Sequence, residues 1–209
     1  NKRFDGKVSE ILTLQQQIAE DVASTLGVPG NATTLDQRPG THNTEAYRLY
    51  LRGNKWWNLR TGLGLSKAVE HFQGAIDQDP NYALAYTGLA NSYGLLGAYR
   101  EVKPEETFPK ARSAALKALE LDSNLAEAHV SLAFVSWLYE WDWVAAEQSF
   151  RRAIELRPGY VLAHHWYGLY LAEMGRFDEA IASEKRALEL DPLSMYVNAD
   201  LGRVYYYAR

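Results

Sequence analysis

Few side chains in this 209-residue sequence have the residue types and spacing that catalysis or metal binding requires. His164 and His165 are adjacent, and neighbours on a helix point about 100° apart, so the two imidazoles cannot easily chelate one ion. Glu105 and Glu106 form a carboxylate pair, but they lie in a polar stretch where we expect both to be solvated. The absence of cysteine excludes a thiolate ligand and a thiol nucleophile. We therefore expect no catalytic residue, no metal and no cofactor.

Glycines and tryptophans supply two further candidates. Gly62 and Gly64 lack the preceding strand that a nucleotide-binding loop needs, so we expect no phosphate site there. Trp141 and Trp143 flank Asp142 in a predicted turn. Two interpretations of this pair stay open: the indoles anchor a partner, or they pack under the next helix pair.

The composition is that of a folded chain without a basic surplus. It has 22 Lys and Arg against 26 Asp and Glu, a formal net charge of −4, and 12% aromatic residues. A nucleic-acid-binding domain is expected to be basic and a disordered chain to be poor in aromatics, so both classes are disfavoured. No stretch approaches the roughly 18 apolar residues that span a membrane, so we expect no membrane insertion. Because the chain opens on Asn1, we expect it to be a piece of a longer protein.

The elements that would position these residues come from a repeated pattern. Residues 75–80 (AIDQDP) return in related form at 118–123, 153–158 and 187–192, and we call these four segments the tails. Their final residues are 43, 35 and 34 positions apart. A period of about 34 residues is the length of a helix–turn–helix repeat.

Each tail follows a stripe of small and apolar residues. Ala68, Phe72 and Ala75 are spaced by four and three positions, which places them on one face of a helix. A second stripe, such as Tyr86 and Leu89, comes after the tail. The sequence therefore predicts closely packed pairs of helices. Small residues expected to allow the close approach are Ala90, Ala133, Gly168 and Gly202.

This pattern resembles the tetratricopeptide repeat. The residues that match it in the second and fourth units are Tyr86, Leu89, Ala90, Tyr93, Ala111, Ala115, Ala118, His164, Tyr167, Gly168, Leu171, Gly175, Ala180, Ala187 and Pro192. The resemblance covers residues 44–209 and implies an all-α fold, a right-handed superhelical solenoid of antiparallel helix pairs. It divides the array into units at 46–82, 83–125, 126–160 and 161–194, with a partial unit at 195–209.

The second unit contains an insert. About nine extra residues lie between Tyr93 and Ala111 when the unit is compared with the 34-residue period. Pro104 and Pro109 fall within this stretch and predict a loop or an interrupted helix end.

The turns of the other units also vary. Extra turn residues are expected near Thr61–Gly64 in the first unit and next to Trp141 in the third. In the fourth unit, Gly175 is expected to end one helix and Asp178 to cap the next.

The first 43 residues do not share the repeat. An apolar stripe predicts a helix within 1–27, and the Gly-, Pro- and Thr-rich residues 28–43 predict a linker. Residues 4–19 resemble the last helix of a TolB-like domain, and residues 45–53 and 163–167 are similar to the same group. This resemblance implies a bacterial signalling protein in which an adenylate cyclase, a winged-helix regulator or a Ser/Thr kinase lies upstream. It also implies a cytoplasmic or periplasmic portion of a membrane-anchored protein.

The tetratricopeptide resemblance further implies a concave groove built from the first helix of each unit, which is the usual binding face of a solenoid. The partner-binding positions carried over to this chain are Tyr47, Tyr50, Asn54, Trp57, Asn91, Glu127, Phe134, Trp137, His165, Glu173, Asp200 and Arg203. The same faces add Leu84, Thr87, Val130, Leu169 and Tyr196. The aromatic members either offer contact area to a partner or cover one another inside a tight superhelix.

One known form of this groove clamps a C-terminal carboxylate with lysine and asparagine side chains. Asn54 and Asn91 match the asparagine positions. Tyr50 stands where the first lysine is expected, and Glu127 and Val130 stand where basic residues are expected. The sequence therefore predicts that this clamp is broken.

These patterns favour a non-catalytic module that binds a protein or peptide partner in the groove, with no nucleic acid bound by this chain. The alternative is a sensory, coupling or dimerisation arm of a signalling protein that has no groove ligand of its own. A homodimer formed through the N-terminal helix or the open fifth unit is a further hypothesis.

Overall fold

The computed structural model describes residues 40–209, and every regular element within them is a helix. The predicted helix in 1–27 and most of the predicted linker lie outside the described residues. The nine helices of the described part are α1 (Thr44–Trp57), α2 (Gly62–Gln78), α3 (Ala83–Ala98), α4 (Pro104–Leu121), α5 (Ala126–Val135), α6 (Trp143–Leu156), α7 (Val161–Glu173), α8 (Phe177–Leu190) and α9 (Met195–Tyr207).

Consecutive helices pack in pairs, and the pairs stack into a solenoid. Helix α1 packs on α2, α3 on α4, α5 on α6 and α7 on α8, while α3 also contacts α1 and α5. This arrangement confirms the predicted all-α tetratricopeptide-type solenoid. These helix bounds are compatible with the predicted division into units, which stays a prediction.

The two helices of each pair differ in how they are buried. Helices α3, α5 and α7 are buried on most of their surface, because each lies between its own partner and the first helices of neighbouring pairs. The second helices bury a narrow stripe: Ala68, Phe72 and Ala75 of α2 are completely buried. An apolar stripe facing one way is typical of a helix on the outside of a bundle.

Glycines allow close approach between helices at several positions. A Cβ atom at Gly53 would lie 2.6 Å from the Phe72 ring, and one at Gly88 would overlap the same ring. Gly168 of α7 faces Glu184 of α8 in the same way, as predicted for this position. At Gly202 no other helix of residues 40–209 lies within 4 Å of the position its Cβ would take, so the close approach predicted there is not seen within that part of the chain.

The turn inside each pair uses one residue in the left-handed conformation. These residues are Arg60, Arg100, Trp141 and Gly175, with φ of 51°, 57°, 58° and 75°. Gly175 therefore ends α7 as predicted. Asp178 does not cap α8, because it lies within the first turn of that helix and Arg176 holds the capping position.

Of the two forms predicted for the insert of the second unit, a loop or an interrupted helix end, a loop over its whole length is not found. Helix α3 continues to Ala98 and α4 already begins at Pro104, so the insert lengthens both helices. Pro104 fits the first turn, where a backbone N–H has no helical acceptor in any case. Pro109 lies further inside α4, where it is exposed and removes one helical hydrogen bond at the surface.

The extra residues of the first and third units are absorbed by helix ends. Thr61 caps α2 by accepting a hydrogen bond from the Gly64 N–H at 3.1 Å, so the glycines lie in its first helical turn. In the third unit α5 continues as a π-helical turn over Ser136–Glu140. A π turn accommodates one inserted residue. Trp141 and Trp143 follow it with 70% and 45% exposure, so the prediction that they pack under the next helix pair is wrong.

Candidate functional site

The concave side of the solenoid holds a half-open cavity of about 350 Å³, which we call the central cavity. Its wall comes from the first helices α1, α3, α5 and α7, from the turns beside them and from the start of α9. A pocket of this size is in the range that binds a small molecule or a few side chains of a partner. Six of the residues carried over as groove positions line it, namely Tyr50, Asn54, Trp57, Asn91, Glu127 and His165.

The far part of the predicted groove is filled by its own side chains. Phe134 of α5 and Trp137 of the following π-helical turn are only 5% exposed, and the centroid of the Phe134 ring lies 4.1 Å from that of Trp166 on α7. Trp137 donates its indole N–H to the Glu173 carboxylate at 2.8 Å. These residues therefore belong to the core between α5 and α7, and the interpretation that the aromatics cover one another applies to this end.

The remaining predicted positions lie at the two ends of the array. Tyr47 is half-buried against the apolar cluster of α1, α2 and α3. Asp200 and Arg203 lie on α9 and form an ion pair at 3.1 Å. None of these three residues lines the central cavity.

Neutral polar side chains form one wall of the cavity. Ser131 donates to the Asn91 amide oxygen at 2.8 Å inside the protein, which fixes the orientation of that amide. Tyr50 and Tyr160 are further lining residues, and burial raises the pKa of both phenols above the usual value. Both hydroxyls therefore stay protonated at neutral pH and can donate hydrogen bonds.

Glu127, which breaks the predicted clamp, is neutralised by an arginine. Its carboxylate pairs with Arg157, which lies between α6 and α7 at the cavity wall. Arg157 stands at the tail position that holds aspartate in the other units. Those aspartates, Asp79, Asp122 and Asp191, accept a hydrogen bond from the backbone N–H two residues further on. Arg157 reaches across to the cavity instead.

Arg60 is the second guanidinium at the cavity wall. It stacks over the indole of Trp57 at 3.6 Å from the ring centroid and lies 5.1 Å from the Tyr196 ring. Its backbone adopts the left-handed conformation, and its N–H bonds to the Trp57 carbonyl at 3.1 Å. The turn therefore fixes where the side chain starts, and the indole lies against the guanidinium.

His165 connects the cavity to α8 and α9. Its Nδ1 lies 3.0 and 3.2 Å from the two carboxylate oxygens of Glu184, and its Nε2 lies 3.5 Å from Asp200. Glu184 is completely buried, and this burial raises the pKa of its carboxyl group, which the hydrogen bond from His165 partly offsets. A histidine between two carboxylates can hold three helices in register at the cavity wall.

Helix α9 approaches α1 and bounds the cavity on its open side. The Tyr196 hydroxyl donates to the carbonyl of Asn58 at 3.3 Å, across 138 positions of sequence. The predicted groove is therefore bounded by both α1 and α9, the first and last helices of the described chain.

Sequence reasoning missed the cavity residues that lie in turns, above all Arg60, Arg157 and Tyr160. Arg157 had a usable signal, because it replaces aspartate in an otherwise regular tail. No sequence signal marks Arg60, because its conformation and its contact with Tyr196 depend on the folded turn and on α9.

Among residues 40–209, none of the helices is both long and apolar enough to cross a bilayer.

Comparison with known proteins gives the same fold. The family model of the tetratricopeptide repeat matches residues 149–182. The chain is 22% identical to TTC0263, a thermophilic tetratricopeptide-repeat protein of Thermus thermophilus, with a TM-score of 0.64, and the match covers 93% of this chain and 99% of that one. IFIT1 is similar in structure, with 17% identity and a TM-score of 0.63 over 93% of this chain and 40% of IFIT1. These likenesses establish a tetratricopeptide-repeat fold.

A curated relative is the transcriptional regulator HilA of Salmonella typhimurium. The chain is 26% identical to it over 165 residues, which cover 79% of this chain and 30% of HilA. The chain therefore spans about a third of the length of the curated relatives that it matches.

Proposed function

We propose that this chain is a non-catalytic interaction module whose central cavity binds a peptide or protein segment. The observation that carries the proposal is the cavity itself, where aromatic rings and oriented polar groups from four first helices converge on one space. The concave face of a solenoid is where proteins of this architecture generally bind extended partners. Tyr50, Tyr160 and Asn91 supply apolar contact and neutral hydrogen-bonding groups.

We further propose that the module works within a larger bacterial regulatory protein. The likeness to the transcriptional regulator HilA supports this setting. An arm for coupling or self-association is the second candidate, favoured by the exposed apolar side chains of α9. These are Met195, Tyr205, Tyr206 and Tyr207.

The test is peptide selection against the folded chain. Peptides are selected from a random displayed library, and their affinities are measured by fluorescence polarisation for the wild type, Asn54→Trp and Arg52→Trp. Asn54 lines the cavity, whereas Arg52 is exposed on the same helix and is the matched control. We expect Asn54→Trp to weaken binding by at least about tenfold, and Arg52→Trp to leave it unchanged.

Circular dichroism of each variant establishes that the helices are retained. Equal binding by all three proteins, or a library that yields no binder, would overturn the proposal. A concentration-dependent dimer that Tyr206→Glu abolishes would then favour the self-association arm.

A further inference from the structure

Glu184 places a carboxyl group where the repeat pattern elsewhere places an aromatic side chain. The same position of the stripe, four residues after its first alanine, holds Phe72 in α2 and Phe150 in α6. Both phenylalanines are completely buried, and Glu184 of α8 is buried to the same extent. A carboxylate that is removed from water is costly unless a partner or a proton compensates its charge.

His165 is the partner of Glu184 and also connects it to the last helix. The imidazole Nδ1 lies 3.0 Å from the nearer oxygen of Glu184, and Nε2 lies 3.5 Å from the Asp200 carboxylate on α9. Arg203, one turn further along α9, pairs with Asp200 at 3.1 Å and is half exposed. We call these four residues the Glu184 cluster. It joins α7, α8 and α9 beside the central cavity, which His165 lines.

The charges of the Glu184 cluster balance only when it holds one additional proton. Two ionised carboxylates, one guanidinium and a neutral imidazole leave one negative charge in excess. A proton on either Glu184 or His165 removes this excess, because a hydrogen-bonded pair titrates as a unit. Burial raises the pKa of Glu184; the hydrogen bond from His165 opposes this increase, Asp200 adds to it and Arg203 opposes it.

Other charged side chains line the same cavity. Glu127 and Arg157 form an ion pair with each other, and Asp191 and Arg60 lie at the wall as single charges of opposite sign. The largest effects on the pKa of Glu184 nevertheless come from burial and from the other members of the cluster. The position of α9, which supplies Asp200, is therefore coupled to this titration.

Helix α9 is held to the rest of the described chain by few buried side chains. Val197 and Val204 are its buried residues, and most of the others are exposed. Across the cavity α9 contacts α1 through the 3.3 Å hydrogen bond from Tyr196 to Asn58. Elements with few buried apolar contacts open at a lower free energy than the core does. An uncompensated charge beside Asp200 is therefore sufficient to change how often α9 leaves its place.

We propose that the Glu184 cluster makes α9 a pH-sensitive lid of the central cavity. With the additional proton the cluster is neutral and α9 lies against α7 and α8. Without the proton, the excess negative charge next to Asp200 favours release of α9, which separates the two carboxylates and admits water to His165. This inference concerns the position of α9 and is independent of which segment the cavity binds.

The direction of the pH dependence follows from linkage between docking and proton binding. The docked state holds the proton more tightly, because α9 contributes burial and the carboxylate of Asp200. Docking is therefore favoured below the pKa that the cluster has when α9 is released. It weakens as the pH rises through the pKa that the cluster has when α9 is docked.

The experiment measures the distance between α2 and α9 as a function of pH. Spin labels are placed on Leu63→Cys and Ala199→Cys, both exposed positions of a chain without other cysteines. We expect one short distance at acidic pH and a growing population of longer distances at alkaline pH. The ratio of released to docked α9 should rise by at least about tenfold between about pH 5 and about pH 9, which corresponds to a change of one unit in the pKa of the cluster on docking.

Three variants in the labelled background test the assignment. Glu184→Gln keeps the size and hydrogen-bonding capacity of the side chain but cannot ionise, so we expect α9 to stay docked throughout the pH range. Asp200→Asn removes the carboxylate on α9 and should reduce the pH response, and it tests the proposal even where Glu184→Gln does not fold. Glu189→Gln changes an exposed residue of α8 and, as the matched control, should respond as the wild type does.

Several outcomes would overturn the proposal. They are distances that do not change with pH, release at acidic instead of alkaline pH, and a full pH response in both folded Glu184→Gln and Asp200→Asn. An equal loss of the response in Glu189→Gln would also contradict it. Circular dichroism over the same range separates release of α9 from general unfolding: helix content that collapses together with the short distance would exclude a lid. Peptide binding to the cavity is measured separately, so failure of the lid leaves the proposed function standing.

Discussion

At Gly88 the ring of Phe72 occupies the space that a side chain would need. We predict that Gly88→Ala destabilises the fold by about 2 kcal/mol, since overpacking displaces a completely buried ring. Gly202→Ala is the matched control: it lies within a helix, no other helix of residues 40–209 is near it, and it should stabilise by about 0.5–1 kcal/mol through helix propensity. Urea unfolding followed by circular dichroism measures both changes. Equal effects of the two substitutions would contradict this account of the packing.

At the scale of elements, Glu184 of α8 meets His165 of α7, which also faces Asp200 of α9. Burial raises the pKa of Glu184 in the folded chain, so the folded state holds this proton more tightly than the unfolded chain does. The stabilisation from protonated Glu184 is complete below the pKa that this carboxyl group has in the unfolded chain. It is lost as the pH rises through the pKa that the group has in the folded chain. The buried carboxylate is then partly stabilised by His165, while Asp200 opposes its charge and Arg203 favours it.

We therefore predict that Glu184→Gln removes this pH dependence. The free energy of unfolding of the variant, relative to the wild type, should rise as the pH increases from about 4 to about 7, because glutamine has no charge to bury. Urea titrations at a series of pH values give the comparison. Glu189→Gln, an exposed change on the same helix, should show no such trend. A difference between Glu184→Gln and the wild type that is independent of pH would refute the assignment.

At the scale of the whole molecule, the contact between α9 and α1 determines whether the concave face is a closed cavity or an open groove. It consists of the hydrogen bond from Tyr196 to Asn58 and the packing of the Tyr196 ring near Arg60. The hydrogen bond is long at 3.3 Å and Tyr196 is 36% exposed. We therefore expect the ring to contribute more than the hydroxyl to the contact between α9 and α1.

This closure can be measured directly because the chain has no cysteine. Spin labels on Leu63→Cys and Ala199→Cys, both at exposed positions, report the distance between α2 and α9. We predict a narrow distance distribution for the wild-type background, a broader one with Tyr196→Ala, and almost no change with Tyr196→Phe, which keeps the ring. A broad distribution in the wild-type background, or no response to Tyr196→Ala, would show that α9 does not close the cavity.

The sequence by itself determined the helix pairs and their packing stripes. Each tail begins with an alanine, and these residues, Ala75, Ala118, Ala153 and Ala187, are all completely buried. This information is local, because each stripe packs against helices that are near neighbours in the chain. The turns after three of the tails are local as well, because an aspartate side chain of each tail accepts a hydrogen bond from the backbone N–H two residues further on.

Only the tertiary structure decided which concave residues remain accessible. Phe134 and Trp137 have the same pattern position as cavity residues, but the stacking of Phe134 on Trp166 closes that end. Arg60 lies at the cavity wall beside Tyr196, which is far away in sequence. The physical reason is that a repeat pattern specifies the contact between neighbouring pairs, whereas the small rotations between successive pairs add up over the whole array. The sum of these rotations determines whether the first and last helices meet. No single segment of the sequence specifies that sum.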